Sequence, residues 1–442
     1  FITNGATLLG PLLEPVAADP AQLDAAIATL RKFSLVRRHA QQKMLTIHRL
    51  VQAVLKDAMD TETQRLWAGR VVRVINRSFP RGDQVAHWSD CQRYLPHVYL
   101  CLPLIEQWHL ASLEAAHLLD QAGLYLLEQA QYTQARYLLR TALTMREEMQ
   151  GTDHLDVAET MNYLAGTYLY QGMYTQAEDL FQQVLAIRER LQGPTHSDVA
   201  IELNNLALLY NKQGKYAQAE PLFLRALAIW EQAPSMEHPD VARTLNNLAL
   251  LYQDQHKFSQ AEALYLRGLT IWEHLSDPAH PDLAVSLNNL AKLYARLGKY
   301  TQAESLFQRV LEIREKTLGA EHPAVAHSLD FLAQMYQSEW KYALAELFFK
   351  HSLNIRRRAL GLEHPDVAHS LTHLAHLYSS LGAYEKAEPL FRQAIAIFEQ
   401  ALGPAHPALA DALKHYAILL SSMNRKNEAV QLVSRVMTIR HA

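Results

Sequence analysis

The chain has 442 residues, a formal net charge of −3, 49% hydrophobic and 20% charged residues, the balance of a folded protein and not of a disordered one. It lacks the basic footprint of a nucleic-acid or anionic-membrane binder, and its two cysteines, Cys91 and Cys101, supply neither a disulfide framework nor a zinc module. No apolar run is long enough to span a membrane and FITNGATLLGPLLEPVAADP lacks a signal-peptide flank, so the expected setting is the cytoplasm, with no membrane and no nucleic acid as partner.

In chain order, the opening on Phe1 instead of Met suggests a piece of a longer protein. Residues 21–36 (AQLDAAIATLRKFSLV) predict a helix after an Asp-Pro start. SLVRRH and MLTIH predict two short strands about the turn AQQK, and HRLVQAVLKDAM predicts another helix. Helix, hairpin, helix is the closing part of a winged-helix domain, assigned here to residues 1–60, with a helical connector at 61–111. LTIHRLVQ at 45–52 resembles the end of the winged-helix module of NB-ARC-type signalling ATPases, the STAND proteins. WAGR at 67–70 and CQRYLPH at 91–97 resemble the connector that joins such modules to helical repeats. No GxxxxGK[ST] phosphate loop occurs. The resemblance therefore implies a nucleotide-binding domain upstream of Phe1, on which the winged helix packs.

From residue 112 the chain repeats itself with a period of 42: His154, His196, His238, His280, His322, His364 and His406 keep the step, as do Ala177, Ala219, Ala261, Ala303, Ala345, Ala387 and Ala429. Tyr132 and Ala135 add a unit upstream, making eight repeats over 112–442. Within 196–237, Val199, Leu203, Leu206, Ala207 and Tyr210 fall on one helical face and Ala219, Phe223, Ala226, Leu227 and Trp230 on a second. Gly214 suits the turn between them. Each unit is thus a helical hairpin that must stack on its neighbours to bury both faces. Leu206, Ala207, Tyr210, Gly214, Tyr216, Ala219, Phe223 and Ala226 resemble the tetratricopeptide repeat, in the longer form of kinesin light chains and many bacterial regulators. The resemblance implies an all-α, right-handed superhelix of hairpins, with the small winged-helix remnant at its N-terminus. His256, Trp340 and Asn424 replace the turn glycine.

The histidines of the His-Pro links read as structural punctuation: proline suits the first helical position and Asp240 the first turn. Spaced two helices apart, they cannot share a metal ion. On the first helices a second stripe points away from the core, and in tetratricopeptide folds it lines the concave surface. Asn162, Asn204, Asn246, Asn288 and Asp330 form a candidate ladder there for the backbone of an extended peptide, since carboxamides both donate and accept. The alternative is that some of them, the Asn205 series above all, bond between repeats. Leu208 and Leu250 offer an apolar floor, Lys212, Lys292 and Arg296 positive charge, and His369, His373 and His376 a histidine face with His327 and His415 beside it. These are the candidate ligand-binding residues, and a polar ligand-facing surface is preferred over a metal site. Trp230 and Trp272, where other repeats have Arg188, Arg314 and Arg356, read as packing, and Arg356–Arg358 as a solvated helix end.

No GxSxG, HExxH or glycine-rich cradle supports catalysis or a cofactor. The expected function is recognition: the sensor region of a STAND-type ATPase, binding a protein, peptide or small signal on the concave face and controlling the upstream domain. Oligomerisation would require the full-length protein. The alternative is a constitutive scaffold or cargo adaptor similar to kinesin light chain.

Overall fold

A computed structural model describes residues 6–11, 13–32, 35–39, 44–47, 49–82, 87–232, 239–275 and 281–441. They divide into two compact units, 1–164 and 165–442. The first opens with helices α1 (Glu14–Ala18) and α2 (Pro20–Lys32), strands β1 (Val36–His39) and β2 (Met44–Ile47), and α3 (Arg49–Asp57). Asp19 starts α2 by accepting the Ala21 N–H at 2.8 Å. The strands pair antiparallel with Val36 opposite Ile47. The helix, hairpin, helix order read from the sequence is therefore present, although its turn, residues 40–43, lies outside the described residues.

Helix α4 (Thr61–Ser78) begins at Asp60, whose carboxylate accepts the Thr63 N–H at 2.7 Å, and α5 (Trp88–Trp108) packs on it. Cys91 and Cys101 are both 0% exposed. Burial pushes their thiols up to about 11 and about 12, which leaves them unreactive.

Eight hairpins follow. They are α6 (Leu113–Glu128) with α7 (Tyr132–Gln150), α8 (Leu155–Tyr170) with α9 (Tyr174–Gln192), α10 (Ser197–Lys212) with α11 (Tyr216–Glu231), and α12 (Pro239–Asp254) with α13 (Phe258–His274). Then come α14 (Pro281–Arg296) with α15 (Tyr300–Leu318), α16 (Pro323–Ser338) with α17 (Tyr342–Leu360), α18 (Pro365–Ser380) with α19 (Tyr384–Leu402), and α20 (Pro407–Ser422) with α21 (Lys426–His441). The fold class is all-α, with the β-hairpin its one departure among the described residues.

The recurring residues explain the recurring shape. Ala207 and Ala219, both 0% exposed, let α10 and α11 approach closely, and Phe223 fills the seam. At the turn, Lys215 N–H donates to the Tyr210 carbonyl and Gly214 N–H to the Asn211 carbonyl, both at 2.9 Å, which requires a left-handed residue at 214. His256, Trp340 and Asn424 adopt the same conformation, with φ of 61°, 63° and 62°. Within the second unit, hairpins also grip the one before: Tyr210, Tyr252, Tyr336 and Tyr378 donate to Glu178, Glu220, Glu304 and Glu346.

The link histidines have a role the sequence reading missed. The ring Nδ1 of His154, His196, His322, His364 and His406 accepts the backbone N–H two residues on, at 3.1–3.2 Å, so imidazole serves as the helix cap. His238 and His280 lie outside the described residues. Within the second unit, α10, α12, α14, α16 and α18 each touch the next first helix, and the second helices make no comparable contact among the described residues. The array therefore curves with its first helices inside.

Candidate functional site: the first-helix face

Along this face the candidate residues fall into two layers. Asn204, Asn246 and Asn288 are 9%, 6% and 4% exposed, and so lie beneath the surface. Asn247 donates to Asn204 and Asn289 to Asn246, each at 3.2 Å, stitching α10 to α12 and α12 to α14. This is the between-repeat role left open for the Asn205 series, extended here to the ladder itself. The stitch stops at Asn288, because the next donor position holds Phe331, and the Asn288 Oδ1 is buried without a protein partner. Asn162 is half-buried on α8.

Asp330 serves a different purpose. It is 1% exposed and accepts from the Arg356 guanidinium at 2.5 Å, while Arg356 also donates to Ser370 Oγ at 2.5 Å. His373 Nδ1 stands 3.7 Å from the same carboxylate. Burial alone would raise the Asp330 carboxyl, but Arg356 and His373 outweigh it and hold it at about 2. Arg356 is 4% exposed, so the reading of Arg356–Arg358 as a solvated helix end is corrected at its first member: a charge so deep needs a paired carboxylate. The first unit repeats the device, with Arg146 2.7 Å from Asp120 and Thr160 donating to the same oxygen at 3.1 Å. Arg188 meets Glu202, and Arg314 meets Ser328. The signal was available: arginines recur 26 positions after Asp120 and Asp330, and hydroxyls 14 positions after those arginines. Trp230 and Trp272, 6% and 1% exposed, occupy the same seam as packing residues.

Above this layer lies the accessible part of the first-helix face. Leu208 and Leu250 are half-buried, and Lys212 and Arg296 exposed. Lys292 lies over the Phe331 ring at 4.5 Å, where burial lowers its ammonium below the usual range, and Arg296 lies over Phe258 at 5.3 Å. His327 packs on Phe331 at 4.7 Å and His369 edge-on against Phe398 at 4.9 Å. Both are exposed to water yet crowded by flanking helices. That crowding, with Arg356, pushes both imidazoles down. His376 meets His415 at 5.1 Å and the Gln337 amide at 3.2 Å. The three helix-face histidines thus part company: His373 turns to Asp330, His369 to Phe398 and His376 to His415. Among the described residues no group of three or more His, Cys, Asp or Glu side chains is placed to hold a metal, and no helix is long and apolar enough to cross a membrane.

The tetratricopeptide-repeat profile matches residues 113–190, 198–274, 282–358, 340–400 and 366–441, and a domain of unknown function, DUF7779, matches residues 10–64. No curated protein matches the chain. Among solved structures, a Rap protein in complex with competence and sporulation factor is 16% identical with a TM-score of 0.53, over 80% of this chain and 91% of that one. The apo form of the quorum sensor NprR from B. thuringiensis is 16% identical with a TM-score of 0.52, over 79% and 91%. A putative kinesin light chain with nearly identical repeats from Podosopora anserina is 28% identical with a TM-score of 0.39, over 46% and 97%. The Rap and NprR likenesses concern the fold.

Proposed function

The chain belongs to the tetratricopeptide-repeat family, and we propose that its first-helix groove is the recognition surface of a STAND-type signalling ATPase, taking a protein segment, a peptide or a smaller signal. The repeat array is an architecture suited to protein–protein interaction and is generally non-catalytic. The observation that carries the reading is a contrast between adjacent positions of the same helices. Ala207, Ala249, Ala291, Ala333, Ala375 and Ala417 repeat without change and are at most 3% exposed. The next residues, Leu208, Leu250, Lys292, Gln334, His376 and Ile418, differ at nearly every step and reach the groove. Packing fixes the first series and leaves the second free to be matched to a ligand.

The assignment to a STAND protein rests on the resemblance of residues 45–52, 67–70 and 91–97 and on the helix, hairpin, helix order that precedes the repeats. In this reading residues 1–60 close a winged-helix domain, 61–111 connect it to eight repeats, and a ligand in the groove relieves inhibition of an upstream nucleotide-binding domain. No cofactor is assigned to these residues, and the setting is cytoplasmic. The test is affinity capture from the native host with wild type, with a combined Lys212→Ala, Lys292→Ala and Arg296→Ala variant, and with Arg267→Ala on a second helix as control. A partner lost only by the groove variant, and able to stimulate nucleotide hydrolysis by the full-length polypeptide, supports the reading. A partner retained by the groove variant overturns the groove assignment. Full-length protein that binds no nucleotide overturns the ATPase assignment and leaves the scaffold.

A further inference from the structure

The hairpin turns of the second unit are nearly identical, with one exception. At Gly214, Gly298 and Gly382, with φ of 72–73°, an added Cβ would meet nothing within 4 Å. At Gly172, with φ of 72°, it would stand 2.7 Å from Pro407 Cδ. The link histidines differ at their second nitrogen: His154 Nε2 meets the Gln150 amide four residues away at 3.5 Å. His322 and His364 leave Nε2 buried without a protein partner. His406 Nε2 stands 2.8 Å from the Tyr170 carbonyl, 236 positions away in sequence. Because His406 Nδ1 accepts the Ala408 N–H, the proton must lie on Nε2, which donates to that carbonyl. Burial holds this ring below its ordinary range, so the neutral donor form persists at neutral pH. Both peculiarities belong to one contact, between the turn after α8 and the start of α20.

We infer that this contact is a clasp, which closes the hairpins from the α8–α9 turn to α20 into a ring around the first-helix face. One neutral hydrogen bond and a small van der Waals patch form a junction weak enough to open reversibly. Turn glycine and link histidine recur in other repeats, and the return of the array brings this one pair together. A groove bounded in this way admits an extended chain along its axis, and a bulky partner only when the clasp parts. The clasp stands on the contact geometry alone, and its consequence for partner exchange rests on the groove reading above.

The test uses spin labels on Thr175→Cys and Ala405→Cys, both exposed positions, in the whole chain. Cys91 and Cys101, fully buried, escape labelling. Pulsed electron paramagnetic resonance should give one short distance, lengthened by more than about 2 Å in Gly172→Ala. Gly214→Ala carries the same left-handed strain without the clash and should leave it unchanged. Should Gly172→Ala fail to fold, a second pair makes the same comparison: His406→Ala loses cap and clasp, whereas His364→Ala loses the cap alone. Equal distances within both pairs, or a long distance in the parent, overturn the clasp. Gating is read separately, from Leu250→Cys reacting with a polyethylene-glycol maleimide and with a small maleimide. The bulky reagent alone should react severalfold faster when the clasp is broken. Equal rates overturn gating without touching the distance result, and neither outcome depends on finding a partner.

Discussion

Two stretches of the array fill the same seam with opposite chemistry. In the hairpins α10–α11 and α12–α13 the seam holds Trp230 and Trp272, and Asn204 and Asn246 are free to accept from Asn247 and Asn289 of the next hairpin. In α16–α17 it holds Arg356, and the position equivalent to those asparagines becomes Asp330, with Ser370 and His373 completing the set. A neutral indole, with a single N–H, constrains its neighbours far less than a charge does, so the ladder can stitch repeats together. A buried cation dictates its neighbours, because an unpaired charge there would cost more than the packing returns. Hairpin α14–α15 stands between the two solutions: Arg314 turns to Ser328 and the Ala324 carbonyl, and Asn288 has lost its donor to Phe331.

The comparison is broken most sharply by Asp330→Asn, which strands Arg356 and should cost about 3–5 kcal/mol. Adding Arg356→Trp recreates the α12–α13 solution and should recover most of that loss. Since repeat arrays unfold in segments, amide exchange across α16 to α18 is the measurement. Recovery of less than half would show that the two chemistries are not interchangeable.

Acid separates the two stretches next. Asp330 has a folded-state value of about 2, below the roughly 3.9 of an unfolded aspartate. Its contribution is therefore complete above about pH 3.9 and is lost as pH falls through about 2, a term of order 2 kcal/mol. The Asp330→Asn, Arg356→Trp variant should lack this loss in an acid titration of local stability.

Smaller effects sharpen the contrast. Asn247→Ala removes one stitch between α10 and α12 and should cost about 1 kcal/mol, read as faster exchange in those two helices. Trp340, 78% exposed with φ of 63°, bears left-handed strain with little burial in return. Trp340→Gly should accordingly stabilise the α16–α17 turn by about 1 kcal/mol, read from the unfolding midpoint. A loss of stability there would mean that the indole packs more than its exposure indicates.

Much of this was legible in the chain. The 42-residue step, the two apolar faces, the turn glycines and the packing role of Trp230 and Trp272 follow from periodicities that any hairpin stack must obey. The candidate groove was legible in part. Leu208, Lys212 and Arg296 stand at the accessible surface as their helical phase demands, whereas Asn204, Asn246 and Asp330, on the same stripe, do not. Helical phase tells which way a side chain leaves its own helix, but how closely the next helix approaches depends on both partners. The deeper first-helix residues are covered for that reason.

By itself, then, the sequence determined the hairpin, its length and the order of repeats, because these are set by local phase and small residues at fixed spacing. The tertiary structure alone decided which polar residues were sealed between helices and that Tyr170 meets His406. Each of these depends on groups far apart in the chain, and their distance is fixed by the accumulated rotation from one hairpin to the next, a quantity that no single repeat encodes.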